Sequence, residues 1–174
     1  MGWHTLRLRW EKTFVALMMQ VVGRSLVATS RVEPAVQSEL AELPRGYQIQ
    51  MAVLPRGPGF VIECNGDGTV DLAKTVKPKV DLRLGFKHVS HAFLVLSFRE
   101  ATACAFTNDR MVADGNASHA IRLVRCLNQM ETLILPRWLA VRAVKRPPEL
   151  PLVTKIRKAA RIYALVTKNL LLLK

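Results

Sequence analysis

The chain has 174 residues, half of them hydrophobic and 6% aromatic, with 26 Lys and Arg against 13 Asp and Glu for a net charge of +13. That length suits one domain with appendages and can bury a sizeable core, and the apolar content excludes a disordered basic tail protein. Three cysteines, an odd number, do not make a disulfide framework; Cys64, Cys104 and Cys126 read as reduced small hydrophobes, which points to a cytosolic setting.

The first thirty residues read as a helix, because Leu6, Trp10, Phe14, Leu17 and Val21 form a stripe at four- and three-residue spacing. Its longest apolar run, Phe14 to Gly23, falls short of the ~20 residues of a membrane-spanning helix. Arg24 then sits where a secretory signal would lead into its cleavage site, so neither a span nor processing is expected. A short helix follows Pro34, with Ala35, Leu40 and Leu43 as its apolar side, and Pro44-Arg45-Gly46 ends it.

From Tyr47 to Val53 the pattern alternates, as in a half-buried strand. Phe60–Glu63 and Thr69–Ala73 read as strands joined at Asn65-Gly66-Asp67-Gly68, a strong hairpin signal. Val80–Leu84 alternates again, which predicts an antiparallel meander of four strands. Helices are expected at His88–Leu96 and Glu100–Phe106, then a last strand at Arg110–Ala113 ending in Asp114-Gly115. Asn116 can cap the next helix, in which Ala117, Ala120, Ile121, Val124, Leu127 and Met130 hold helical spacing. A short basic helix after Pro136, a stop at Arg146-Pro147-Pro148 and a final helix opening at Thr154 complete the chain.

This order of elements resembles the sterol carrier protein lipid-binding family. The residues carrying the resemblance are Val80-Asp81-Leu82-Arg83-Leu84, Ala101, Phe106, and Arg110-Met111-Val112-Ala113-Asp114-Gly115-Asn116 leading into Ala120-Ile121-Arg122-Leu123. Asp109 departs from the family, many of whose members have glycine there, and the basic C-terminal extension is a second departure. The resemblance covers roughly residues 40–135. It implies an α+β domain, an antiparallel sheet of about five strands covered by helices, enclosing an apolar tunnel for a lipid on which no chemistry is done. Residues 1–39 would form a basic helical segment before that domain and 136–174 basic amphipathic helices after it.

Lipid pockets are apolar with few polar anchors. Phe93, Leu94, Leu96, Phe106, Met111, Ile121, Val124 and Met130 are therefore the candidate ligand contacts, although each alone could be ordinary core. His88 and His91 could share a helical face as half a metal site, but no acid or thiol at a suitable spacing completes it. Cys126 and His119, seven residues apart on one helix, do not make a nucleophile–base pair. No nucleophile elbow, phosphate loop or metalloprotease motif is present. No catalytic residue, metal or cofactor is expected.

The charge is segregated. Residues 1–32 are net +4 and residues 136–174 hold ten basic residues against Glu149, while residues 33–135 carry eleven charges of each sign. On a wheel of the final helix, Ile156, Ala159, Tyr163, Val166, Leu170 and Leu173 share one face and Arg157, Lys158, Arg161 and Lys168 cluster opposite. A basic amphipathic helix of that kind lies in a membrane interface, and Trp3 and Trp10 beside Arg7 and Arg9 could anchor the N-terminal helix there. The alternative is a helix packed on the domain with its charges solvated. Nucleic acid fits the net charge but not the neutral body or the broad apolar helix faces. The expected function is thus a cytoplasmic, peripherally membrane-associated carrier of a sterol-like, fatty acyl or isoprenoid quinone lipid. Its partners would be that lipid, an anionic membrane surface and lipid-modifying enzymes. The competing readings are a nucleic-acid adaptor and a structural partner in a membrane-associated complex.

Overall fold

Every second residue of the central strands turns to one face, and that face builds the core. In the computed structural model, which describes residues 3–134 and 152–171, the strands are β1 (Gln48–Val53), β2 (Gly59–Cys64), β3 (Val70–Leu72), β4 (Leu82–Phe86) and β5 (Met111–Asp114). Among the described residues six helices surround them: α1 (Trp3–Ser30), α2 (Pro34–Ala41), α3 (Val89–Leu96), α4 (Thr102–Thr107), α5 (Ala117–Ile134) and α6 (Leu152–Leu171). The expected short helix after Pro136 and the stop at Arg146 lie outside the described residues.

The sheet order is β3-β2-β1-β4-β5. Three pairings are antiparallel, but β1 and β4 run parallel, so the expected antiparallel meander is corrected to a mixed sheet. Alternation fixes which face a strand buries but not which neighbour it takes. Here β4 crosses to the free edge of β1 in a register that aligns Ile49 with Leu82, Met51 with Leu84 and Val53 with Phe86. Gln48 holds the crossing segment. Its Nε2 donates to Glu63 Oε2 at 2.8 Å and to the Thr75 carbonyl at 2.7 Å, while its Oε1 accepts from Lys77 N–H at 2.9 Å. The Gln48 backbone N–H in turn donates to Asp81 Oδ2 at 2.8 Å. Every polar atom of this buried side chain is satisfied, as burial demands.

Helix α1 crosses the apolar face of the sheet. Its buried stripe is Val15, Met19, Leu26 and Val27, whereas Trp10 and Leu17 of the expected stripe are 68% and 63% exposed. Apolar residues occur on all sides of α1, so periodicity does not select a face; the fit to the sheet does. At Gly23 a Cβ would stand 2.9 Å from Cγ of Phe60, so only glycine lets the helix lie this close to β2. The stretch Leu8–Ser30 has a mean hydropathy of 1.3 and is long and apolar enough to cross a membrane, by length and composition only. Leu26, Val27 and Ala28 beyond Arg24 extend the shorter run counted in the sequence. Over half of it is buried inside the fold.

Helix α2 docks on α5, where Glu39 accepts from Arg122 Nη1 at 3.1 Å and Arg125 Nη1 at 3.2 Å. Asn116 caps α5 as expected, its Oδ1 accepting from Ser118 N–H at 2.9 Å. Before it, Gly115 has φ +130°, and a Cβ there would meet the Asp81 carbonyl at 2.7 Å. One core cluster joins α1, α2, all five strands, α3, α4 and α5. It runs across the expected boundary at residue 39/40, which falls inside α2. A smaller cluster of Ala28, Leu133 and Ile162 seats α6.

Candidate functional site

The candidate ligand contacts come from four elements, α3, α4, β5 and α5. Leu96 (α3), Met111 (β5) and Met130 (α5) are buried in the main cluster, and Phe93 (α3) and Phe106 (α4) are partly buried and pack against it. Met111 stands in register with Phe86 of β4. Leu94 and Val124 are half-buried, and Ile121 is 56% exposed on the solvent side of α5. The structure therefore brings five of the eight together and leaves Ile121 outside.

Sequence reasoning did not nominate the partner of Phe93. Phe14 of α1 meets it edge-on at 5.1 Å between ring centroids, and the Arg99 guanidinium lies over the Phe93 ring, 5.7 Å from its centroid, a cation–π distance. Phe14, Met18 and Val22 on α1 with Val89 and Phe93 on α3 are all partly buried. Large apolar side chains thus line the α1–α3 seam at the edge of the core.

Hollows lie elsewhere among the described residues. One of about 710 Å³ opens between the C-terminal half of α1 and the β3 edge, with Arg24, Val27, Arg31, Asp71, Leu72 and Lys74 among its walls. A smaller one of about 210 Å³ lies between α2 and α5 beside Glu39, Arg125 and Cys126. None of the eight nominated residues lines either.

Of the expected membrane-facing residues, Arg157, Arg161 and Tyr163 are exposed on α6, while Lys158 bonds Glu33 Oε2 at 2.7 Å. The Tyr163 hydroxyl donates to the Ile134 carbonyl at 2.9 Å. Lys168 and Leu170 belong to the helix, but their side chains lie outside the described residues, as do that of Trp3 and all of Leu173. The expected apolar face is split. Ile162, Leu165 and Val166 pack inward against Ala28, Val32, Leu133 and Ile134, and Ile156 is left 66% exposed beside Arg157. Ile162, which was not among the residues named for the apolar face, is the residue that seats the helix, because its position was decided by the pocket offered by α1 and α5.

His88 and His91 do face each other, ring centroids 5.1 Å apart, and burial together with the charge of His88 holds the His91 imidazole below its ordinary pKa. Among the described residues no group of three His, Cys, Asp or Glu side chains could hold a metal ion. His119 instead lies 2.9 Å, through Nδ1, from the Tyr47 hydroxyl, tying α5 to the start of β1. Cys64 and Cys126 are buried, and burial pushes both thiols up to about 12, so both are inert structural side chains.

Comparison with known proteins gives likenesses of structure. The chain is similar to a UbiJ-SCP2 ubiquinone synthesis protein at 15% identity and a TM-score of 0.45, over 62% of this chain and 91% of that one. It is similar to apo sterol carrier protein 2 of Yarrowia lipolytica at 15% identity and a TM-score of 0.41, over 64% and 89%. Palmitated SCP2L2 of Aedes aegypti matches at 13% identity and a TM-score of 0.36, over 58% and 91%. No family model matches the chain, and no curated protein matches it.

Proposed function

We propose that this chain is a non-catalytic lipid-binding protein that sequesters an apolar lipid between sheet and helices and docks on anionic membranes. The observation that carries the reading is that Phe93, Leu96, Phe106, Met111 and Met130 join one apolar cluster with the sheet, from the elements on which the sterol carrier resemblance rests. The α1–α3 seam is the proposed entrance, because its apolar side chains are only partly covered. A fatty acyl, sterol-like or isoprenoid quinone lipid fits such a site, and handover to a lipid-modifying enzyme at the membrane is the proposed use. The proposed location is cytoplasmic and peripheral.

Docking is supported by exposed apolar side chains set beside cations. Ile156 and Tyr163 flank Arg157 and Arg161 on α6, and Leu8, Trp10 and Leu17 flank Arg9 and Lys12 on α1. Each cation near an anionic bilayer is worth ~1 kcal/mol, and the apolar tips enter the interface. Nucleic acid would use the cations but not those tips.

Two measurements test the reading. Organic extraction of the purified protein followed by mass spectrometry should recover lipid; an empty protein that also takes up no labelled acyl or prenyl lipid removes it. In flotation with anionic vesicles, the double variant Arg157→Glu/Arg161→Glu should bind at least about 10-fold more weakly than the parent, four charge units at ~1 kcal/mol each leaving ample margin. Equal flotation, or salt-sensitive DNA binding that outcompetes the vesicles, removes the docking role of α6.

A further inference from the structure

We propose that the hollow between α1 and the β3 edge is an oxyanion site for the head group of an amphipathic ligand, a carboxylate or phosphate on an apolar chain, with its charge on the Arg24 guanidinium. The proposal deepens the lipid-carrier reading and rests on it. Arg24, Val27 and Arg31 fall at three- and four-residue spacing, so one face of α1 looks across the hollow at β3 and the residues after it.

Of the charged side chains around the hollow only Arg31 and Asp71 pair with each other; Arg24, Glu63 and Lys74 have no ion pair among the described residues. Arg31 Nη2 bonds Asp71 Oδ1 at 2.5 Å, and Asp71 Oδ2 accepts from Asn65 Nδ2 at 2.9 Å. Glu63 accepts from Gln48. Arg24 is only 6% exposed, yet its Nη1 meets nothing better than the neutral Gln20, at 2.7 Å from Oε1 and 3.4 Å from the carbonyl. Its Nε is buried with no hydrogen-bond partner among the described residues. A guanidinium taken out of water is costly unless an anion meets it, and no carboxylate of the described residues does so. Lys74, exposed at the rim, adds a second cation with no ion pair among the described residues.

The hollow is also sized and walled for more than an ion. Its volume of about 710 Å³ is that of a small-molecule site. Val27 belongs to the main core and Leu72 packs against it, so an apolar chain leaving the head group meets apolar wall at once. Arg24 lies ten residues along α1 from Phe14, about 15 Å at the rise of an α-helix, which places this site away from the α1–α3 seam.

The test titrates the full-length protein with a fluorescent long-chain fatty acid, with its methyl ester and with inorganic phosphate. The acid should bind about 10-fold more tightly than the ester, the size of one charge-assisted hydrogen-bonded contact. Arg24→Gln should abolish that preference, and the rim variant Lys74→Gln, whose exposed side chain does not endanger folding, should reduce it by about 2-fold. Acid and ester binding equally, with Arg24→Gln changing neither, overturns the head-group site and leaves the lipid-carrier reading standing. Phosphate binding that depends on Arg24, while acid and ester bind equally, assigns the site to a free anion and overturns the amphipathic ligand. If neither lipid binds, the lipid-carrier reading falls and the head-group assignment with it.

Discussion

At the scale of single residues, the departure at Asp109 has a backbone explanation. Asp109 has φ 55°, the left-handed region that glycine enters freely and that Asp tolerates better than most residues. Its exposed carboxylate bonds Lys87 Nζ at 2.5 Å, a surface pair worth little. Replacing Asp109 by Gly should therefore change stability by less than about 1 kcal/mol, because relief of the backbone cost offsets the added freedom of the unfolded chain. Asp109→Val should lower it by about 1–3 kcal/mol, since a β-branched residue is a genuine outlier there. Urea denaturation decides; equal midpoints for the two variants would remove the backbone account. The glycine expected from the resemblance thus marks a conformation, and Asp109 meets the same demand with a different residue.

At the scale of elements, strand positions were legible because burial alternates with period two, and helix positions because apolar residues recur every three or four. What alternation leaves open is pairing, and Gln48 is part of the reason β4 lies beside β1. Gln48→Leu has similar volume but removes the side-chain partner of Lys77 N–H, the Thr75 carbonyl and Glu63, all in part-buried hydrogen bonds. A loss of about 1–2 kcal/mol is expected, three part-buried hydrogen bonds at ~1 kcal/mol or less each, less the apolar gain. Hydrogen exchange at the residues 73–81 should quicken in the same variant. A variant as stable as the parent, with unchanged exchange, would mean the crossing is held by register alone. Helices α1 and α6 show the converse failure of periodicity: where apolar residues surround a helix, as on α1, or where one inward residue such as Ile162 outweighs a stripe, the buried face is chosen by the partner surface.

At the scale of the molecule, α5 buries an acid that no residue-level pattern flagged. Burial raises Glu131 to about 8, and its Oε2 is buried without a hydrogen-bond partner among the described residues. The folded state therefore holds a proton that the unfolded state releases near the ordinary 4.5. Stability contributed by the neutral form is full below about pH 4.5 and is lost as pH rises toward about 8, because the folded state binds more protons across that window. Thermal melts from pH 5 to pH 8 should show this decline, and Glu131→Gln should flatten it by on the order of a few kcal/mol at the alkaline end. Parallel pH profiles for parent and variant would remove Glu131 from the account.

The +13 charge and its confinement to the two ends belong to the sequence alone, as do the strand and helix positions, the cap at Asn116 and the apolar set around Phe93, because composition and local periodicity are properties of the chain read in order. The parallel β1–β4 pairing, the face that α1 turns to the sheet, the seating of α6 on Ile162 and the burial of Arg24 without an anion were decided only in three dimensions. Each depends on which surfaces meet, and contacts between residues distant in sequence leave no periodic trace in either partner.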